Sequence, residues 1–431
     1  MKSSAWPLVR LRDLLRVKHG FAFKSAFFSE ETGDVLLTPG NFEETGGLKF
    51  RPEKDRSYAG AFPAEFRLRA GELLVVMTDL TQEARILGAP AFVPEAPGCL
   101  HNQRLGKIVD VDVSRIDQRF LYYLFNYRGF REAIKSTASG STVKHTSPGR
   151  IESYQVRLPP LSTQRRIASI LGGYDDLIEV NRRRIAVLEE MARRLFEEWF
   201  VHFRFPGYEG HAMVETPEGP LPEGWVLTTL GEVCEQITDG AHHSPPSAEV
   251  GQLMASVKDM RDWDFDLSSC RRISDEDFEE LVRNGCSPVV GDILIAKDGA
   301  NLNKHTFLMW RDVKLVLLSS IAILRPPQGF EREYLVSLLK SEATSEAIKQ
   351  MKSGAAIPRI VLRDFKRLRV VLPPRDLRQA FENLAGPAHD LIRRISQANA
   401  ALAKSRDLIL PRLISGEVSV TAAERELEAV A

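Results

Sequence analysis

The sequence has few cysteines, no long apolar run and no excess of either charge. Its four cysteines, Cys99, Cys234, Cys270 and Cys286, form no Cys-x-x-Cys pair in 431 residues, which argues against a zinc ribbon and a disulfide framework. No stretch approaches the roughly 20 apolar residues of a membrane span, and the N-terminus has no apolar core of signal-peptide length. We therefore expect a cytoplasmic protein with reduced thiols and no membrane association.

The chain also lacks the motifs of common catalytic sites. It has no Gly-x-Gly-x-x-Gly, no phosphate loop ending in Gly-Lys-Ser/Thr, no His-Glu-x-x-His and no Gly-x-Ser-x-Gly. The Asn/Asp-Pro-Pro-Tyr/Phe motif of amino-methyltransferases is missing as well. The close histidine pair His242-His243 has no patterned carboxylate beside it, so we expect no metal site. These absences favour a binding protein over an enzyme.

The charges balance, with 58 basic and 58 acidic side chains. This balance excludes a protein whose whole surface grips nucleic acid, but it leaves room for local basic patches.

What the sequence does contain is an internal duplication. Leu158-Pro159-Pro160 recurs as Leu372-Pro373-Pro374, and residues 140–196 align with 354–410 at an offset of 214 without a gap. Upstream, two Gly-acidic-apolar runs that begin at Gly71 and Gly291 repeat at an offset of 220. A period this long indicates two copies of a whole domain followed by a helix.

Each copy mixes short strands with short helices, which predicts an α+β (mixed α/β) fold present twice. Strands are expected at 106–111, 307–310 and 315–324, and helices at 119–127 and 331–351. The predicted organisation has six parts. They are a first globular domain (1–158), a central helical spacer (159–205), a linker (206–224), a second globular domain (225–372), a C-terminal helical spacer (373–417) and a loosely held acidic tail (418–431).

The two spacers carry apolar residues at close to a 3.5-residue repeat, which is typical of a coiled-coil seam. The predicted seam residues are Leu177, Asn181, Leu188 and Leu195 in one spacer and Leu391, Ile395, Leu402 and Ile409 in the other. If the helices pair antiparallel, Asn181 and Ser405 could bond each other. Gly172-Gly173 and Gly386-Pro387 predict a bend at the same register in both spacers. Glu189 and Glu190 are expected on a solvated face.

These features together resemble the specificity subunit of a type I restriction–modification system. The resemblance covers essentially the whole chain and is carried by several motifs in a fixed order. They are the duplicated Leu-Pro-Pro-x-x-x-Gln elements at Leu158 and, one residue longer, at Leu372, the segments 195–203, 221–225 and 410–417, and the two Gly-acidic-apolar strands. Thr163 and Arg378 depart from the pattern, because the family usually has an acidic residue there.

The resemblance implies two target-recognition domains, each reading half of a split site in double-stranded DNA, and paired helices that set the half-site separation. It implies two docked adenine-N6 methyltransferase subunits and further restriction/translocase subunits. S-adenosylmethionine, ATP and Mg are then expected on those partners, and no cofactor on this chain. Independently of the family, a helix of about 27 residues spans roughly 40 Å, which is close to the roughly 34 Å of one DNA turn.

Base edges and phosphates are contacted by arginine, lysine, amide and hydroxyl side chains, which selects candidate loops. The loops that follow the two Gly-acidic strands are the first choice, and small polar or basic turns are the second. The predicted DNA-binding residues of the first half are Thr78, Thr81, Gln82, Arg85, Asn102, Arg104, Ser141, Thr142 and Lys144. Those of the second half are Lys297, Asn301, Asn303, Lys304, Ser319, Lys352 and Arg359.

Two alternatives stay open at this point. One is a specificity subunit of another DNA-methylating defence system, which would still recognise DNA. The other is a protein-binding scaffold whose coiled coil is itself the function. Salt-dependent binding to random duplex would separate DNA recognition from the scaffold role.

Overall fold

The computed structural model describes residues 6–31, 33–217, 219–299, 302, 304–351 and 359–428. The chain divides into two compact units: unit 1 is Met1–Ile178 with Ala401–Ala431, and unit 2 is Glu179–Ala400. Each unit contains one globular domain and parts of two long helices. The expected α+β class with a repeated domain is confirmed.

The globular part of unit 1 consists of short strands and short helices. Its strands are β1 (Leu8–Arg10), β2 (Arg16–His19), β3 (Phe28–Ser29), β4 (Val35–Leu37), β5 (Ser57–Tyr58), β6 (Arg67–Leu68), β7 (Leu73–Val76), β8 (Thr78–Asp79), β9 (Pro90–Phe92), β10 (Cys99–His101), β11 (Leu105–Val109), β12 (Lys144–His145) and β13 (Gln155–Arg157). Its helices are α1 (Gln118–Asn126), α2 (Arg128–Ser136), α3 (Pro148–Glu152) and the start of α4 (Leu161–Phe196), which ends in a π-helical turn at Glu197–Val201.

Unit 2 repeats this pattern. Its strands are β14 (Met213–Val214), β15 (Leu221–Pro222), β16 (Val226–Thr229), β17 (Gln236–Asp239), β18 (Gln252–Ala255), β19 (Arg271–Ile273), β20 (Ile293–Ala296), β21 (Thr306–Leu308), β22 (Leu315–Leu317), β23 (Ile321–Arg325) and β24 (Arg369–Leu372). Its helices are α5 (Leu230–Val233), α6 (Asp275–Arg283), α7 (Arg332–Lys340), α8 (Glu342–Gln350), α9 (Leu362–Arg367) and most of α10 (Arg375–Ile414). The strand expected at 315–324 and the helix expected at 331–351 are therefore each two elements.

The two domains share a sheet topology. An antiparallel four-stranded sheet has the order β2-β11-β7-β9 in unit 1 and β17-β23-β20-β21 in unit 2. A parallel pair, β4 with β10 or β18 with β22, starts a second sheet in each unit. The third strand of that sheet pairs with β10 in unit 1 but with β18 in unit 2. The duplication therefore preserves the four-stranded sheet, whereas the three-stranded sheet has diverged.

The central strands β7 and β20 are buried on both faces, which explains their uninterrupted apolar sequence. In β7, Leu73 and Val75 face the core that contains α1 and α2, whereas Leu74 and Val76 face the second sheet. The glycines that precede these strands have positive φ, +82° at Gly71 and +98° at Gly291, which L side chains rarely adopt.

The long helices α4 and α10 run without interruption through the two predicted breaks. Neither Gly172-Gly173 nor Gly386-Pro387 ends a helix, and the expected bend at these positions stays a prediction. An interior glycine costs a helix about 1 kcal/mol and a proline about 3 kcal/mol, and the apolar packing along both helices outweighs these penalties. Ile167 and Leu171 are fully buried on one side of the glycine pair, and Ile178 is 7% exposed on the other.

Most of the predicted seam lies on the packed side of these helices. The predicted seam residues that are buried or half-buried are Asn181, Leu188, Leu195, Ile395, Leu402 and Ile409. Leu177 and Leu391 are corrections, because they are 44% and 45% exposed. The buried residue is the next one in each helix, Ile178 at 7% and Ile392 at 0% exposure. Two adjacent apolar residues made the register ambiguous by one position.

Within unit 2 the helices pack antiparallel. Asn181 donates a hydrogen bond to Asn399 at 2.9 Å, and Phe196 packs edge-on against Phe381 with ring centroids 5.9 Å apart. The predicted partner of Asn181 was wrong, since Ser405 is exposed. Glu189 is a further correction: it accepts a hydrogen bond from the indole of Trp263 and is not on a solvated face.

The end of the chain is also more ordered than expected. Residues 420–428 form α11 (Val420–Glu428), and Val420 and Ala423 are buried in the core of unit 1. Arg166 on α4 forms an ion pair with Glu424. The described part of the acidic segment is therefore held by packing. None of the described helices is long and apolar enough to cross a membrane.

Candidate nucleic-acid interface

In unit 1 the loop that follows β7 and β8 is shaped by one buried carboxylate. Asp79 is 2% exposed, and its oxygens accept hydrogen bonds from the backbone and hydroxyl of Thr81, both at 2.8 Å, and from the backbone of Ile86 at 2.9 Å. This fixes residues 79–86 as a compact turn with Gln82 exposed at its tip. Thr78, by contrast, is buried at 5% exposure.

A buried guanidinium supports the same loop from below. Arg131 on α2 is 8% exposed and donates to the backbone carbonyls of Leu87 at 2.8 Å, Glu44 at 3.1 Å and Arg85. Burial lowers the pKa of Arg131 to about 10, so the side chain stays charged at neutral pH. The Arg85 side chain itself is exposed and ion-paired with Glu83.

The second predicted segment of unit 1 lies directly beside this loop. The short strand β12 pairs with β8, so that His145 is opposite Thr78, with its Nδ1 3.1 Å from the Thr78 hydroxyl. Lys144 donates to the carbonyl of Gly140 at 2.8 Å, which closes a small turn. The predicted residues exposed on that turn are Ser141 and Thr142.

The third predicted segment meets the same end of the sheet. The backbone N–H of Met77 donates to the carbonyl of Arg104 at 2.9 Å, and Asn102 accepts from the backbone of Arg104 at 2.9 Å. The side chain of Arg104 is exposed. A Cβ on Gly20 would lie 2.2 Å from the carbonyl oxygen of Asn102, so only glycine allows this approach.

All the predicted residues of unit 1 are thus gathered at one end of its four-stranded sheet, which we call the recognition edge of unit 1 (residues 78–86, 102–104 and 139–145). Exposed hydroxyl, amide and guanidinium groups are concentrated there on a rigid scaffold. Such groups can donate to phosphate oxygens and to base edges.

Unit 2 builds the same edge from different side chains. Asp298 and Arg359 form an isolated antiparallel bridge at the place that Thr78 and His145 occupy in unit 1. The backbone N–H of Lys297 donates to the carbonyl of Ser320 at 2.9 Å, as Met77 does to Arg104.

The close approach made by a glycine is repeated as well. Ser319 donates its backbone N–H to Ala241 at 2.9 Å, beside Gly240, where a Cβ would lie 2.1 Å from the carbonyl oxygen of Leu317. We call residues 297–299, 302, 304–305, 318–320 and 359 the recognition edge of unit 2.

Lys297 differs from the other predicted contacts because it is inside the domain. It is 3% exposed, and its ammonium lies 3.2 Å from Asp239 and 3.6 Å from Asp298. Asp239 also accepts from His242 at 3.1 Å. This arrangement gives Lys297 a structural role at the base of the edge.

The remaining predictions for unit 2 are only partly described. Lys304 is exposed in the loop between β20 and β21. Its neighbour His305 lies 3.0 Å from Asp262. Asn301, Asn303 and Lys352 lie outside the described residues. Among the residues that the structure does describe, no group of three or more His, Cys, Asp or Glu side chains could hold a metal ion.

Sequence reasoning missed the residues that shape these edges. Asp79 and Arg131 act on the loop of unit 1 from inside the fold, and neither belongs to a motif. Gly20 and Gly240 could have been found, since each follows a strand and they repeat at the same offset of 220 as Gly71 and Gly291.

Comparison with known proteins gives one consistent family. The sequence profile of the type I restriction modification DNA specificity domain matches residues 3–190. The MjaIX type I restriction enzyme specificity subunit of Methanocaldococcus jannaschii is 25% identical over 326 residues, which are 74% of this chain and 73% of the relative. The EcoBI specificity subunit of Escherichia coli is 22% identical over 431 residues, 96% of this chain and 86% of the relative.

A solved structure shows the same fold over nearly the whole chain. The crystal structure of a type I restriction–modification system S subunit from M. genitalium aligns with a TM-score of 0.54 at 15% identity, covering 95% of this chain and 96% of that one.

Proposed function

We propose that the chain is a specificity subunit of a type I restriction–modification system, as its similarity to such subunits over most of its length supports, and that it reads an asymmetric, bipartite site in double-stranded DNA. Each unit would contact one half-site through its recognition edge. The two half-sites would differ in sequence, because the two edges share a backbone scaffold and carry different side chains.

The observation that carries this proposal is the repeated edge. In both units a buried strand, β7 or β20, delivers the chain to a loop that is paired with a second segment from about 60 residues later. The backbone scaffold is kept, and Thr78 with His145 in one unit is replaced by Asp298 with Arg359 in the other. A preserved scaffold with altered donors and acceptors suits two readers of different base sequences.

Partner subunits would dock on the helical part. Within unit 2, the outer face of α4 exposes Val180, Val187 and Met191, at 43%, 59% and 61% exposure. Their spacing of seven and four residues puts them on one stripe. Apolar stripes of this kind mark protein contacts. We propose that the stripe receives one of two adenine-N6 methyltransferase subunits.

Catalysis would belong entirely to partners in this scheme. S-adenosylmethionine would be bound by the methyltransferase subunits, and ATP and Mg by restriction/translocase subunits. This chain would supply the DNA sequence specificity and would bind no cofactor. Its place would be the cytoplasm, where such DNA is accessible.

Methylome sequencing of cells with and without this gene tests the proposal. We expect a bipartite adenine-methylated motif that disappears on deletion and returns on complementation. A complement that carries an altered loop 79–86 should change one half of the motif only. An unchanged methylome after deletion would refute the assignment, and a motif in one continuous block would refute the two-reader arrangement.

A further inference from the structure

A tryptophan in unit 2 joins the recognition domain to the long helices. Trp263 lies in the turn between β18 and β19 and is 6% exposed. Its indole N–H donates to Glu189 on α4, and its ring lies 5.0 Å from the ring of His389 on α10. One side chain of the globular domain thus contacts both long helices.

The helix side of this contact is a buried set of charges. Glu333 on α7 lies 2.8 Å from His389 and 2.6 Å from Arg393, and all three are 5% exposed or less. The guanidinium of Arg393 lies 5.9 Å from the centre of the Trp263 ring. Both carboxylate oxygens of Glu333 have a partner in this set, and buried charges that are paired in this way have few alternative arrangements.

On the side of the globular domain, the neighbours of Trp263 contact the recognition edge of unit 2. Asp262, next to Trp263, lies 3.0 Å from His305, which follows Lys304 in the loop between β20 and β21. Lys340 places its ammonium 3.7 Å from the centre of the Trp263 ring and donates to the carbonyl of Asp262 at 3.3 Å. The contacts therefore run from the helices through Trp263 and Asp262 to the loop that carries Lys304.

In unit 1 the corresponding contact between the globular domain and the long helices has different partners. In the 214-residue register the counterpart of His389 is Asp175, which accepts from the hydroxyl of Tyr123 at 2.6 Å and pairs with Arg406. That contact ties α1 to the long helices and involves no residue of the recognition edge.

We propose that Trp263 is a positioning residue that holds Lys304 and His305, the last residues before β21, in fixed register with α4 and α10, and thereby makes recognition strict about the interval between the two half-sites. The inference rests on the proposed function. A loop tied to the helices can meet its bases only at one interval, whereas a loop released from them can shift to follow a half-site that is displaced by one base pair. Trp263 need not touch DNA to have this effect.

The test uses the full chain in complex with its methyltransferase subunits and three duplexes. One carries the bipartite site from the methylome, and the others have an interval one base pair shorter or longer. We expect the wild-type complex to discriminate against both altered duplexes, and Trp263→Ala to lose about tenfold of that discrimination, which corresponds to about 1.4 kcal/mol. Affinity for the correct site should change much less.

Two further variants keep the result interpretable if Trp263→Ala folds poorly. Trp263→Phe retains a ring for Lys340 and His389 but cannot donate to Glu189, so an intermediate relaxation is expected. Glu189→Ala removes the acceptor and should also relax the interval. Glu190→Ala is the matched control, since Glu190 is next in sequence and pairs with Arg193 and Arg194 instead.

The outcomes separate the two proposals. Relaxed discrimination in Trp263→Phe and Glu189→Ala with a strict Glu190→Ala supports the positioning role. An equal loss of affinity at all three intervals, or discrimination as strict as in the wild type, overturns it. A wild-type complex that ignores the interval altogether would instead defeat the proposed bipartite function.

Discussion

Arg104 and Arg69 are both exposed arginines of unit 1, but they lie at opposite ends of β7. Arg104 belongs to the recognition edge, through its backbone bond to Met77. We expect Arg104→Ala to weaken binding of the cognate duplex and Arg69→Ala to leave it unchanged. If Arg104 reads a base, the loss should be roughly 1–3 kcal/mol at one base pair, whereas a phosphate contact would weaken all duplexes alike and reduce the salt slope by about 1.

Titration of both variants against cognate, singly altered and random duplexes at several salt concentrations distinguishes these cases. Lys304→Ala and Lys314→Ala form a parallel pair in unit 2, because both lysines are exposed and they flank β21 at opposite ends. If the two substitutions of either pair weakened DNA binding equally, the recognition edge of that unit would not be the DNA contact.

Glu382 gives unit 2 a pH dependence of stability near neutrality. It caps the N-terminus of α7 by accepting from the backbone of Glu333 at 3.0 Å and Tyr334 at 3.3 Å. Burial raises the pKa of Glu382 from its ordinary 4.5 to about 7, and the carboxylate of Glu333 acts in the same direction.

The folded chain therefore keeps a proton that the unfolded chain releases between pH 4.5 and 7. This contribution to stability is fully present below pH 4.5 and is lost as the pH rises towards 7. Glu382→Gln, which cannot ionise, should flatten that decline in urea midpoints measured from pH 4.5 to 8. Glu346→Gln, an exposed position on α8, serves as the control and should follow the wild type.

Single residues also mark the limit of sequence reasoning. Lys297 is a lysine just after a strand, which fits a DNA contact, yet Asp239 from a distant strand pairs with it inside the fold. Glu189 fits a solvated charge run, yet Trp263 reaches it from another element. Both placements depend on a partner about 60 to 75 residues away in sequence, and local patterns carry no information about such a partner.

At the scale of elements, the continuity of α4 has a measurable consequence. Gly173 lies in the helix interior, is exposed, and has no atom within 4 Å of a Cβ placed on it. We expect Gly173→Ala to stabilise the protein by up to about 1 kcal/mol, because alanine restricts the unfolded chain and favours the helix. Thermal unfolding of the variant measures this directly.

The contrasting variant is Gly20→Ala, at which the added methyl group would lie 2.2 Å from the carbonyl oxygen of Asn102. That substitution should destabilise unit 1 and disturb the recognition edge. A destabilising Gly173→Ala would mean that the helix does need a glycine there, as the sequence first indicated.

Elements with a strong local signal were predictable from sequence. The Gly-acidic-apolar runs became β7 and β20, and the Leu-Pro-Pro elements lead into α4 and α10 as expected. The pairing of β8 with β12, and of Asp298 with Arg359, could not be foreseen, because two-residue contacts between segments about 60 residues apart have no periodicity of their own. These contacts bring the predicted loops together, so the candidates were predictable and their grouping was not.

For the whole molecule, the duplication carries most of the predictable information. A repeat at an offset of 214 residues predicts two similar domains and two similar helices before any contact is known. The difference in strand order, β6 beside β10 in one unit and β19 beside β18 in the other, lies in the regions where the register is lost. Segments that align at a constant offset between the two halves therefore form the shared scaffold. Segments in which the offset changes form the parts that differ between the two domains.

If the paired helices α4 and α10 set the separation of the two half-sites, lengthening both helices should lengthen the interval between the half-sites. One extra heptad, inserted in α4 after Arg184 and in α10 after Ser396, adds seven residues to each helix and about 10 Å to its length. Seven residues keep the 3.5-residue seam in phase and rotate the helix by only about 20°. At about 3.4 Å per base pair, we expect the methylated motif to keep both half-sites and to gain about three base pairs of interval.

Insertion of five residues in each helix is the matched control, because it breaks the phase of the seam and should abolish methylation or stability. Methylome sequencing reads out both variants in the same cells. A heptad variant that folds, methylates and retains the original interval would show that something other than helix length sets the separation, and the role proposed for α4 and α10 would have to be abandoned.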